Sequence, residues 1–183
     1  EDTYEQGLDQ LGLEIEDRTT PWAGACGVFH PMLSEAVVRF QSETIQEIMP
    51  AKGPVKTQIW GVADLEREQQ ARRVQNYMNY QLLEVMTEYR SETEKLLFSL
   101  PLAGSAFRKV YFDPSLGRPT SMFVPAEDFV VSYNESDLEH AERYTHVMAR
   151  STNQVRKLQV SGFYRDVDLA TSHIEENPIK KKY

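Results

Sequence analysis

The apolar residues keep a helical spacing up to Gly104 and an alternating one after it, and this change of period constrains the fold more than any other feature. Long helices followed by a small antiparallel sheet with a β-hairpin make an α+β arrangement. No internal repeat or low-complexity tract offers a different architecture. The expected organisation is an acidic N-terminal arm over 1–20, one α+β domain over 21–169 and a polar tail over 170–183, extended or cut off, that ends in Lys180, Lys181 and Lys182.

Seven acidic side chains fall in the first twenty residues, and the spacing of Leu8, Leu11 and Ile15 supports only an arm or a loose helix. The small residues Gly24, Ala25, Cys26 and Gly27 read as a connector. His30-Pro31 suits a helix entry, because proline is tolerated in a first turn. Leu33, Val37, Phe40, Thr44 and Ile48 then form an apolar stripe, stopped by Pro50 and Gly53-Pro54. The spacing predicts a short strand over 55–60 and a helix over 64–89, about 39 Å long at about 1.5 Å per residue. Ser91 with Glu94 has capping-box spacing for a third helix carrying Leu96, Leu97, Leu100 and Ala103, with Pro101 placed to kink it and Gly104 to end it.

Beyond Gly104, two alternating runs at 107–112 and 120–124 flank Asp113-Pro114-Ser115-Leu116-Gly117 and predict a hairpin. Runs at 129–133 and 143–149 predict two more strands joined by an acidic loop. Ser151 with Gln154 repeats the cap spacing before a short helix that carries Val155 and Leu158 and ends at Gly162.

Composition narrows the functional classes. At 183 residues a folded chain buries roughly 70% of its unfolded surface, enough for a core without staples. Cys26 is the only cysteine, so neither an internal disulfide nor a multi-cysteine zinc site is possible, and a reducing compartment is the default. No apolar run approaches the roughly 20 residues that span a bilayer. A net charge of -8 and a pI near 5.1 argue against binding DNA or anionic lipid by bulk charge.

Each constellation suited to chemistry has a plainer explanation. Cys26 and His30 are four apart, the makings of an imidazole-activated thiolate, but a cysteine between Ala25 and Gly27 reads as a small buried hydrophobe. Glu139, His140, Glu142 and His146 offer metal-ligand atoms at no recognised spacing. The glycine turns at 24–27 and 103–105 lack a phosphate-loop pattern. The pairs Glu92 with Glu94 and Asp166 with Asp168 read as solvated charge, and Tyr77, Tyr80, Tyr89, Tyr111, Phe112 and Phe123 as packing positions. Arg108 and Lys109 on the hairpin, and Arg150, Arg156, Lys157 and Arg165 around the last helix, are basic patches open to an acidic or phosphate-bearing partner, with a solvated face the simpler account. No catalytic, cofactor-binding or metal residue is assigned.

Taken in order, several stretches resemble the portal, or head-to-tail connecting, proteins of short-tailed bacteriophages. They are His30-Pro31 with Ser34-Glu35-Ala36-Val37-Val38-Arg39-Phe40-Gln41, Met49-Pro50-Ala51-Lys52-Gly53-Pro54-Val55-Lys56-Thr57, and Asn76-Tyr77-Met78-Asn79-Tyr80-Gln81-Leu82. Next come Leu100-Pro101-Leu102-Ala103-Gly104-Ser105-Ala106-Phe107-Arg108-Lys109-Val110-Tyr111-Phe112-Asp113-Pro114 and Phe123-Val124-Pro125-Ala126-Glu127-Asp128. The last is Arg156-Lys157-Leu158-Gln159-Val160-Ser161-Gly162-Phe163-Tyr164-Arg165-Asp166-Val167.

The resemblance implies a non-enzymatic structural subunit, without cofactors, of a dodecameric ring at one capsid vertex. Such rings work with capsid and scaffolding proteins, the packaging terminase and the tail adaptor. They pass double-stranded DNA without sequence specificity during genome packaging and DNA ejection. The implied location is the virion, and the host cytoplasm during assembly. Such portals are several times longer, so the resemblance also implies an N-terminal piece, placed in the outer, wing-like part of the ring. An acidic collar suits this role, because few phosphates are neutralised and DNA is left free to slide. A ring needs heterologous contacts, for which the 64–89 helix and the hairpin are the candidate surfaces. A helical adaptor or scaffold protein binding a partner through the long helix, and a hydrolase using Cys26 and His30, are the competing expectations.

Overall fold

The helical spacing upstream of Gly104 becomes α1 (Asp2–Leu11), α2 (Met32–Ile48), α3 (Leu65–Tyr80) and α4 (Tyr89–Ala103). The alternating part becomes β1 (Ala106–Asp113) and β2 (Arg118–Pro125), then β3 (Phe129–Val131), β4 (Tyr144–His146) and α5 (Thr152–Val160). This is an α+β fold with two two-stranded sheets among the described residues. These elements belong to a computed structural model that describes residues 2–11, 19–27 and 30–169. They form two compact units, 1–129 and 130–183, a division that falls inside the 21–169 stretch. The tail over 170–183 and residues 12–18 of the acidic arm lie outside the described residues; α1 occupies 2–11 of that arm.

In the first unit α4 is the central element, with α2 against one part of it and the hairpin against another. Among the described residues the buried hydrophobic side chains are Val37 of α2, Met86, Leu97 of α4 and Val124 of β2. The expected α2 stripe is partly displaced. Val37 is buried, but Phe40 and Ile48 are each 40% exposed, and Gln41 turns inward to donate to the Glu94 carbonyl at 2.8 Å. A polar side chain is accommodated between α2 and α4 because the α4 backbone offers it an acceptor. Gly104 ends α4 at φ 71, donating to the Leu100 carbonyl at 2.9 Å, a left-handed cap that glycine adopts without a Cβ penalty. Pro101 lies inside the last turn of α4.

Three expectations are corrected. The 55–60 segment is not a strand: among the described residues no strand pairs with it, and the Asn79 carboxamide of α3 serves the Val55 backbone instead. The 64–89 helix is interrupted: α3 gives way to a π-helical turn, Gln81–Val85, closed by the Met86 N–H on the Gln81 carbonyl at 2.9 Å. The wider turn shifts the side-chain phase and delivers Met86 to the core at 4% exposure. Ser91 and Glu94 form no capping box, because α4 has already begun, with the Tyr89 N–H on the Met86 carbonyl at 2.9 Å. Ser91 Oγ donates to the Glu88 carbonyl and Glu94 pairs with Arg90.

The hairpin forms as the alternation predicts, in antiparallel register from Ala106 opposite Pro125 to Asp113 opposite Arg118. At its turn Asp113 Oδ1 accepts from the Ser115 N–H at 2.8 Å and from Ser115 Oγ. β3 pairs with β4, both shorter than expected, and in the second unit α5 carries the Ser151–Gln154 capping box in both directions. Its described residues include no fully buried hydrophobic side chain.

Candidate assembly surface

The hairpin is attached to α4 through side chains that the helix spacing brings to one side, Glu88, Glu92 and Thr93. Glu88 accepts from Arg118 Nη1 at 2.8 and 2.9 Å. Glu92 Oε2 accepts from the Phe123 N–H at 2.7 Å. Thr93 Oγ1 accepts from Arg108 Nη2 at 2.6 Å and donates to the Tyr89 carbonyl at 2.6 Å. The Arg108 guanidinium also lies 4.7 Å from the Tyr89 ring centre, a cation–π arrangement. Burial disfavours the charged Glu88 carboxylate. Hydrogen bonds from its own backbone, the Arg118 guanidinium and the Ser121 backbone overcome that and hold it below the usual carboxylate value.

Along this seam Arg108 Nε, Thr120 Oγ1 and Ser121 Oγ are enclosed without a protein hydrogen-bond partner. The hairpin is thus fixed to the helix, while its outer portion is bare. Val110 is 64% exposed, Phe112 63% and Leu116 56%. Strand alternation places Val110 and Phe112 on one face, opposite Ser121 and Pro119 in the register.

A second bare element of the first unit is α3. Only Ala71, Gln75 and Asn79 on it are turned inward, toward the extended 53–57 segment. Thr57 Oγ1 donates to the Ala71 carbonyl at 3.1 Å and to Gln75 Oε1 at 3.3 Å. Asn79 Oδ1 accepts from the Val55 N–H at 2.9 Å, and its Nδ2 donates to the Val55 carbonyl at 3.2 Å. The rest of α3 faces solvent, including Tyr77 at 62% and Tyr80 at 56% exposure. Sequence reasoning gave Asn79 no role of its own; its signal was an amide one helical turn past Gln75.

The chemical candidates are not assembled into a centre. Cys26 is exposed, not buried as expected, and follows a turn closed by the Ala25 N–H on the Trp22 carbonyl at 3.2 Å. His30 is exposed as well. Among the described residues no group of three or more His, Cys, Asp and Glu side chains could hold a metal. His140 Nδ1 instead lies 2.8 Å from Asp137 Oδ1, and Glu139 and Glu142 are exposed. Glu92 and Glu94 form ion pairs with Lys95 and Arg90. Asp166 and Asp168 are exposed, as are Lys109, Arg150, Arg156, Lys157 and Arg165. Tyr77, Tyr80 and Phe112 are exposed rather than packed, whereas Tyr89, Tyr111 and Phe123 are half-buried.

No helix among the described residues is long and apolar enough to cross a membrane. Compared with known proteins, the chain matches no family model and no curated sequence.

Proposed function

We propose that this chain is a structural, non-enzymatic subunit of a phage portal ring. Twelve copies would contribute the outer, wing-like part of the ring that forms the DNA entry and exit channel at one capsid vertex, meeting capsid and scaffolding proteins, the packaging terminase and the tail adaptor. The observation that carries the reading is the hairpin: it is fixed by its inner residues to α4 while Val110, Phe112 and Leu116 stay exposed. Clustered exposed apolar side chains on a rigid element mark an interaction site. A cyclic ring needs such a patch to meet a different patch on the next copy. The ordered run of portal-like segments supplies the kind of assembly. The net charge of -8 suits a collar through which DNA slides without sequence preference. The corresponding location is the virion, with the host cytoplasm during assembly.

The second reading is a non-enzymatic helical adaptor or scaffold, favoured by the bare outer side of α3. Negative-stain electron microscopy of the protein at its natural length separates the two. Twelvefold ring projections are expected; monomers or dimers with no ring would overturn the portal reading in favour of the adaptor.

A further inference from the structure

The inward row of α3, Ala71, Gln75 and Asn79, is defined by its contacts with the extended segment. At 3.6 residues per turn the opposite side of the helix carries Glu66, Gln70, Arg73 and Tyr77 in one stripe. All four are exposed. Glu66 and Arg73 are seven residues, about 10.5 Å, apart along the axis, too far for a direct pair. The positions three and four away from Glu66 hold Val62, Ala63, Gln69 and Gln70, and those from Arg73 hold Gln69, Gln70, Asn76 and Tyr77. No intrahelical counter-ion exists for either charge, and among the described residues neither forms a salt bridge. The stripe therefore displays opposite charges two turns apart, flanking neutral Gln69 and Gln70.

Such a pattern is complementary to itself under a two-fold rotation. We infer that α3 is a self-association surface, on which two copies of this chain pack antiparallel and cross between Gln69 and Gln70. Glu66 of each copy then meets Arg73 of the other, and Tyr77 lies toward the segment before Asp64 of the other copy, where Val62 is 81% exposed. The contact is isologous and closes at two. It is distinct from the propagating ring contact proposed for the hairpin and stands or falls independently of the portal reading.

Cysteine crosslinking of the full chain tests it. With Cys26→Ser to remove the native thiol, Gln70→Cys should give a disulfide-linked dimer under mild oxidation, and Glu47→Cys on the exposed side of α2 should not. Added to the Gln70→Cys chain, Glu66→Arg or Arg73→Glu alone turns both ion pairs into repulsions and should cut the yield about tenfold. The double swap Glu66→Arg/Arg73→Glu should restore it. So should mixing the two single variants, because one then presents a purely basic stripe and the other a purely acidic one, and the two stripes attract. Far-ultraviolet circular dichroism confirms that each variant keeps its helices. Absence of a Gln70→Cys crosslink above the Glu47→Cys level, or a crosslink indifferent to the charge pattern, would overturn the inference. Neither outcome bears on whether electron microscopy finds rings.

Discussion

Asn79 treats Val55 as a neighbouring strand would, accepting its N–H at 2.9 Å and donating to its carbonyl at 3.2 Å from one buried carboxamide. The geometry requires the chain to pass Asn79 closely at Gly53, where φ is 93 and an added Cβ would overlap the Asn79 carboxamide. Gly53→Ala should therefore destabilise the first unit by about 1–3 kcal/mol through steric overlap and left-handed strain. Asn79→Ala should cost a similar amount, about 1–3 kcal/mol, by leaving the Val55 groups unpartnered. The double variant should cost less than the sum, because removing the carboxamide removes the overlap. Urea denaturation midpoints of the four proteins measure this coupling, and strict additivity would contradict it.

Glu88 and Arg118, with side chains 22% and 23% exposed, join α4 to the hairpin. The folded carboxylate titrates below its ordinary value of 4.5, so its contribution is complete above that value and disappears as pH falls through the lower folded value. Glu88→Gln should cost about 1 kcal/mol at neutral pH and flatten the acid limb of the stability curve. Stability measured by denaturant as pH is lowered gives the comparison, with the two curves expected to converge.

The alkaline limb should have a separate origin. Tyr4 Oη donates to Glu127 Oε1 at 2.9 Å, linking α1 to the turn after β2. Burial, the hydrogen bond to Glu127 and its negative charge push the phenol from 10.0 up to about 12. Because the folded value is the higher one, the contribution is complete below 10.0 and is lost as pH rises through the folded value. Tyr4→Phe should lower neutral stability by about 1 kcal/mol and remove that alkaline loss. A variant as alkali-sensitive as the parent would place the titration elsewhere.

Local signals made the hairpin and α5 legible. The turn chemistry of Asp113 to Gly117 and the cap pair Ser151 with Gln154 act over a few residues, and the structure realises both. Gly104 was legible for the same reason. The 55–60 segment was not, because alternation reports a half-buried extended chain without saying whether a strand or a helix side chain will satisfy it. The π-turn at Gln81–Val85 was hidden because a one-residue widening barely disturbs apolar spacing, although it decides that Met86 faces the core. The assembly surface was half legible: the long helix and the hairpin stood out as candidates. That Val110 and Phe112 are bare while Arg108 on the same face is held by Thr93 depends on where α4 ends up.

That contrast within one hairpin separates stability from assembly. Leu97 and Val124 are 3% and 2% exposed, so Leu97→Ala leaves a cavity and should cost about 2–5 kcal/mol. Phe112 is 63% exposed, and Phe112→Ser should change monomer stability by less than about 0.5 kcal/mol. If the exposed side of the hairpin meets the next copy, the same Phe112→Ser chain should be the one that fails to assemble. Chemical denaturation and light scattering at the protein's natural length read the two effects separately. A Phe112→Ser protein that unfolds early would move this residue from the surface into the core, and one that unfolds normally yet assembles fully would remove the hairpin from the interface.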